Sequence, residues 1–449
     1  MSALAQPSTE ALQAIRGAFL DFVDDPFYVS ELESVRYIPD GLLVLEHGRV
    51  KELGAYDALK DKYADLPVTS YPGRLIMPGF IDTHIHFSQM EMIAAYGEQL
   101  MEWLYMYVFP TEGKFKDKEY AQKIAALFLD ELLKNGTTTA LVFTTVFPQS
   151  ADAFFEEASK RNLRMIAGKV MMDRNAPEYL VDTPDSSYQD SKALIQKWHK
   201  NGRLLYAVTP RFAVTSTDEQ LEMASKLLQE FPDVYLHTHL SENIDEVQYV
   251  AKLFPESKGY LDVYDRAGLV RERSIFAHGV QLSDAEFQRL SEAKAAIAFC
   301  PTSNLFLGSG LFRLGQAKSE KHPVHVGLGT DVGAGTSFSL LVTAHVAYKV
   351  MQLQKRRLSP FEALFLATLG GARALYLEDK IGNFDPGKEA DFVVLNLQST
   401  PLMAFRNPEP IAASLKKLVD KVFSLIVMGD DRAIQATYVM GKLVSGTAH

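Results

Sequence analysis

The chain has 449 residues, 47% hydrophobic and 23% charged, which excludes a largely disordered protein and leaves room for one large core with a smaller domain beside it. A formal charge of −10 repels phosphate backbones, so no nucleic-acid partner is expected. The single cysteine, Cys300, excludes an internal disulfide and a thiolate-rich zinc site, and fits a reducing cytoplasm.

Residues 1–8 lack the basic start and apolar run of a secretory leader, and no stretch is apolar for long enough to span a membrane. No membrane association is expected. Residues 18–23 are apolar and aromatic, and 41–50 read as two short strands around a His47-Gly48 turn. A similar texture returns at 387–395 and 436–444. Neither end has enough strands to close a core alone, so residues 1–75 and 385–449 are expected to build one small β-sandwich together.

Residues 76–384 alternate apolar strands with amphipathic helical stretches such as 116–134, 218–230 and 284–293. The strand candidates fall at 77–86, 138–144, 164–171, 204–210, 234–240, 273–278, 295–300 and 324–330. Eight parallel β/α units predict an α/β fold, a closed (β/α)8 barrel of the TIM type, whose reactive residues sit at the C-terminal ends of the strands.

On the first of these strands His84 and His86 are two residues apart and therefore share a face. Two imidazoles on one rigid face are half of a metal site. The fifth strand carries His237 and His239, with Glu242 just past its end. Depth favours His239, nearer the rim, as a ligand, and His237 as a hydrogen-bonding residue inside the barrel. His278 ends the sixth strand, and Asp331 follows the eighth among glycines that suggest close approach of a ligand. Singly, His278 fits a core histidine and Asp331 a turn. Together with the paired histidines, at the ends of strands one, five, six and eight, they are hard to assign to packing.

Histidines with one carboxylate suit one Zn²⁺ per chain, with Fe²⁺ as the competitor. Such a metal acidifies water and acts as a Lewis acid. Asp331 beside that water can take its proton, and Glu242 can pass protons to substrate and leaving group. The reaction class is metal-assisted hydrolysis.

The run Pro78-Gly79-Phe80-Ile81-Asp82-Thr83-His84-Ile85-His86, with the later His239, His278 and Asp331, resembles the amidohydrolase superfamily of metal-dependent barrel hydrolases over nearly the whole chain. The Ser88-Gln89 pair, Leu104 after Glu102-Trp103, Asn135-Gly136-Thr137-Thr138-Thr139, Thr209-Pro210-Arg211-Phe212, His239-Leu240-Ser241-Glu242-Asn243 and Gly329-Thr330-Asp331-Val332 narrow the resemblance to members that deaminate guanine. It implies hydrolysis of guanine to xanthine and ammonia, in purine catabolism or salvage, by a cytoplasmic homodimer. The implied metal ligands are His84, His86, His239 and Asp331. His278 would orient the attacking hydroxide or the tetrahedral intermediate, and Glu242 would protonate a ring nitrogen and later assist departure of ammonia. Asp331 would take the proton from water. The alternatives are a triazine, pterin, 8-oxoguanine or adenosine-derived substrate in the same barrel, or an inactive scaffold barrel, against which the full ligand set argues.

The implied substrate contacts add Gln89, Arg211, Phe212 and Trp103 to His86, His239, Glu242, His278 and Asp331. Gln89 offers donor and acceptor on one amide, Arg211 can fork onto a carbonyl oxygen and a ring nitrogen, and Phe212 can stack on a flat base. On residues alone, Arg211 is equally a surface arginine and Phe212 a core ring. Trp103 either covers the pocket or packs beside it. Asn304 could face the site from the turn after strand seven, and Cys300 reads as an inert buried thiol.

Overall fold

Extended runs, most of them four to twelve residues long and broken by glycine, proline and asparagine turns, sort into two sheets in the computed structural model, which describes residues 12–97 and 99–448. The opening segment read above for its lack of a leader lies outside the described residues.

One sheet holds the eight barrel strands, Phe80–His86, Thr137–Phe143, Arg164–Gly168, Leu205–Pro210, Tyr235–Leu240, Ser274–His278, Ala296–Phe299 and His325–Leu328, in sequence order. Every neighbouring pair is parallel. The third expected strand is interrupted at Lys169, and Val170–Met171 continues it along the fourth. The ring comes together between its last and first strands. Thr83 Oγ1 donates to Leu328 O at 2.9 Å, Asp331 N to His84 O at 2.9 Å, and His86 N to Val332 O at 3.0 Å.

This seam corrects one reading of the sequence. A Cβ on Gly329 would lie 3.0 Å from His84 Cβ and 2.9 Å from Cys300 Sγ. The glycine therefore lets two strands approach each other, not a ligand.

Helices follow the strands because capping residues stand at their starts. Thr217 Oγ1 accepts from Gln220 N at 3.2 Å and opens Asp218–Glu230, which buries Leu221, Ala224, Leu227 and Leu228 along one face. Asp117, Ser283 and Ser339 cap Lys118–Lys134, Asp284–Glu292 and Leu340–Leu353 in the same way.

The other sheet draws seven strands from both ends of the chain, in the order Lys442–Gly446, Ile434–Val439, Phe392–Leu395, Val68–Pro78, Gln13–Phe22, Val35–Glu46 and Arg49–Ala55. It closes over its own apolar cluster, including Ile15, Phe19, Leu43, Ile76, Phe392 and Tyr438. The last two strands form a hairpin through His47 and Gly48, both at positive φ (52° and 73°), as a tight two-residue turn requires.

Beneath the barrel, Arg164 opens the third strand and Arg203 precedes the fourth. Both reach Glu389 of the terminal domain: Arg164 Nε donates to Oε2 at 2.7 Å, and Arg203 Nη2 to the same oxygen at 2.7 Å. Arg203 also pairs with Asp391, which in turn accepts from Met440 N at 2.8 Å.

Candidate active site

Strand alternation puts His84 and His86 on one face of the first barrel strand, both buried. Their Nε2 atoms lie 3.1 and 3.2 Å from Asp331 Oδ1. From the end of strand five, His239 Nε2 comes within 3.3 Å of His86 Nε2. Ligating atoms of His84, His86 and His239 all lie within 4.8 Å of one another, and so do those of His84, His278 and Asp331.

The far sides of three of the rings are tied to protein, while His86 Nδ1 is buried with no hydrogen-bond partner among the described residues. His84 Nδ1 is 2.7 Å from His237 Nε2, His239 Nδ1 donates to Arg211 O at 2.7 Å, and His278 Nδ1 donates to Asn304 Oδ1 at 2.9 Å. A donating Nδ1–H leaves the Nε2 lone pair for the centre of the site. His84 Nε2 and His278 Nε2 are buried there with no hydrogen-bond partner among the described residues. His237 thus bonds within the barrel, at the depth expected of it.

Burial pushes His84, His237 and His239 down, and His86 down to about 3, so all four rings are neutral near pH 7. Burial alone would raise Asp331, but the histidines around it hold it well below the usual carboxylate range. Neutral imidazoles beside an ionised carboxylate are the donor set of a divalent cation, and the orphaned His84 nitrogen gains a partner when one is bound. The residues fit a metal.

Glu242 stands across the site, its Oε2 3.5 Å from His278 Nε2, with the Ser309 hydroxyl 3.5 Å from its other oxygen. Burial, then the charges of Asp331 and Glu246, push it well above the ordinary carboxyl value, which favours its protonated form. Its backbone is pinned. The N–H groups of Glu242 and Asn243 donate to Glu246 Oε2 at 2.9 and 3.1 Å, and the Tyr260 hydroxyl donates to Glu246 Oε1 at 2.7 Å.

Ser241, His278 and Asp331 have φ of 48°, 75° and 51°. Left-handed backbone at a non-glycine residue costs about 1–3 kcal/mol. Three such residues at the ends of strands five, six and eight aim functional side chains inward.

A cavity opens above this cluster, lined by His86, Gln89, Trp103, Arg211, Phe212, His239, Glu242, His278 and Asp331, with Leu100, Leu104, Leu307 and Ala334 completing its wall. Every sequence-predicted contact residue lies on it, Trp103 included, whose indole Nε1 is buried with no hydrogen-bond partner among the described residues. Gln89 Oε1 accepts from Gly333 N at 3.3 Å, which fixes its amide. Arg211 is buried rather than on the surface, and its Nη1 donates to Glu112 Oε2 at 2.8 Å.

Glu112, Glu246 and Ser309 were not legible as site residues. The Asn243-Ile244-Asp245-Glu246 spacing is that of a capping box, and this signal could have singled out Glu246. Nothing in Phe109-Pro110-Thr111-Glu112 distinguishes Glu112 from a solvated helix residue.

Residues 75–444 match the amidohydrolase family. The chain is 56% identical over 437 residues to guanine deaminase of Escherichia coli K12, covering 96% of this chain and 98% of that one. It is 37% identical to guanine deaminase of Mus musculus over 82% of each chain. The fold superimposes on the E. coli guanine deaminase structure with a TM-score of 0.92 at 54% identity, over 98% of this chain and 100% of that one. A guanine deaminase of C. acetobutylicum, solved with guanine bound in its active site, matches with a TM-score of 0.87 at 28% identity, over 97% and 100%.

Proposed function

The chain belongs to the amidohydrolase family, and from that membership we propose that it hydrolyses guanine to xanthine and ammonia. The observation that carries the reading is the convergence of His84, His86, His239 and Asp331 beneath a cavity lined by Glu242, His278, Gln89, Arg211 and Phe212.

The family is metal-dependent, and His84, His86, His239 and Asp331 are the groups that would hold the ion, read here as one zinc per chain. A zinc ion there supplies Lewis acidity and makes water acidic enough to act near neutral pH. The residues do the rest. Asp331 takes the proton from the attacking water. His278, whose Nδ1 is committed to Asn304, accepts a hydrogen bond from the attacking oxygen through Nε2 and orients it. Glu242 arrives protonated and delivers that proton to the ring nitrogen next to the amine-bearing carbon, which breaks aromaticity and makes the carbon electrophilic. It then carries a proton to the departing ammonia. Arg211 and Gln89 read the carbonyl edge of the base, while Phe212 and Trp103 flank its faces.

The same reading makes the enzyme a cytoplasmic homodimer of purine catabolism or salvage, divided at 75/76 and 384/385 into barrel and terminal segments. The buried free Cys300 supports the compartment. No helix among the described residues is long and apolar enough to cross a membrane.

The test is incubation of zinc-loaded protein with guanine. Loss of the guanine absorbance band with equimolar ammonia is expected; a fully loaded, folded protein that leaves guanine intact would overturn the reading.

A further inference from the structure

Among the buried charges beside the site, the reaction just described makes no use of Glu112. Glu112 ends the short helix Phe109–Glu112, and its side chain is fully buried beside Arg211, which lines the cavity. Oε2 accepts from Arg211 Nη1 at 2.8 Å, and the Ser88 hydroxyl donates to Oε1 at 3.4 Å. The Phe109 ring lies under the same guanidinium, 5.6 Å from centroid to Cζ. The carboxylate thus ties three elements together: the turn after strand one through Ser88, the end of strand four through Arg211, and its own helix.

An arginine held in a closed cavity without a counter-charge is an anion site. That is a liability for this reaction. Guanine is a neutral amino-oxo-purine, whereas its product carries two carbonyls flanking a ring N–H and gives up a proton more readily. A lone Arg211 would hold the ionised product, and other dioxo-heterocycle anions, more firmly than the substrate. With Glu112 paired to it at 2.8 Å, the guanidinium carries a counter-charge of its own, so an incoming anion is drawn less strongly and is repelled by the carboxylate, an effect that bulk water does not screen in the interior.

We propose that Glu112 is a positioning and specificity residue that holds the Arg211 fork in place and cancels its charge, so that the cavity favours the neutral purine and releases the acidic product. The inference rests on the guanine reading above. Only one Arg211 nitrogen is committed to Glu112, and the rest of the fork stays available to the base.

The test uses the full-length, zinc-loaded enzyme, with initial rates on guanine and inhibition by xanthine, in wild type, Glu112→Gln and Glu112→Asp. The glutamine keeps a hydrogen-bonding oxygen but no charge. It should tighten xanthine inhibition by about tenfold and raise the guanine KM about three- to tenfold, with kcat within about twofold of wild type. The aspartate keeps the charge and should leave xanthine inhibition near wild type, whatever it does to KM. A purely structural ion pair would not make an inhibitor bind better. Unchanged or weakened xanthine inhibition in a folded Glu112→Gln enzyme overturns the proposal.

A measurement on wild type alone covers the case in which the variants do not fold. Xanthine inhibition should weaken as xanthine ionises with rising pH, relative to a purine that stays neutral over the same range; tighter binding of the anion overturns the proposal. Failure of wild type to turn over guanine would instead remove the substrate reading, and this inference with it.

Discussion

At the lower end of the barrel, Glu389 accepts from Arg164 and Arg203, Arg203 also pairs with Asp391, and Asp391 is tied to the Met440 amide. At the upper end, a buried cluster is built the other way: His84 Nε2, His86 Nδ1 and His278 Nε2 have no hydrogen-bond partner among the described residues, and four histidines face two carboxylates. Buried polar groups left unmatched cost free energy, so a fold keeps them only where something else completes them. The matched cluster clasps two domains together. The unmatched one has the donor set of a divalent cation. Charge in the interior is therefore read by its accounting, since both clusters would look alike in a list of buried ionisable residues.

Substitutions should separate the two. The largest effect is expected at Glu242. Glu242→Gln should retain bound metal and lose about 10²–10⁴-fold in turnover, measured by steady-state rates alongside metal analysis. Collapse of metal content would make Glu242 a ligand and redraw the site.

In the clasp, Glu389→Ala strips Arg164 of its carboxylate partner and leaves Arg203 only Asp391, and should cost about 3–5 kcal/mol in denaturant unfolding, with kcat of the folded fraction unchanged. Equal losses of activity and stability would erase the distinction between the clusters.

Next comes Arg211→Gln, which should raise the guanine KM about 10–100-fold while kcat changes less, as expected for lost charged hydrogen bonds to the base. An unchanged KM would mean that Arg211 does not read the base edge.

The smallest effect is in pH. Although burial pushes Glu389 up, Arg164 and Arg203 hold it below its ordinary value of 4.5. Its folded value lies under its unfolded one, so its contribution to stability is complete above about pH 4.5 and fades as pH falls through the lower, folded value. Glu389→Gln should flatten the acid side of a Tm–pH profile; identical slopes in wild type and variant would contradict the linkage.

Much of this was legible because the relevant periods are short. Two-residue alternation put His84 beside His86 and separated His239 from His237 by depth, and apolar runs marked all eight barrel strands. The long-range pairings were not legible. Val68–Pro78 lies parallel to Gln13–Phe22 and antiparallel to Phe392–Leu395, some three hundred residues on, and only the assembled sheet sets that register. Val170–Met171 was merged with the strand before it in the 164–171 candidate, because the break falls at Lys169, whose burial against Asp182 only the assembled structure shows. Glu112 and Glu389 were missed for a related reason. A carboxylate in a short helix or a turn looks solvated, and its partners, Arg211 and Arg203, are respectively 99 and 186 positions away.

The claim on which the site depends is that strands one, five and eight grip a single cation. Metal analysis of purified wild type and of His239→Ala, with guanine turnover followed through chelation and zinc restoration, tests it most directly. The account predicts one ion per chain in wild type, little in the variant, and activity that leaves with the metal and returns with zinc. Full guanine turnover by metal-stripped protein, or a full complement of metal in His239→Ala, would contradict it.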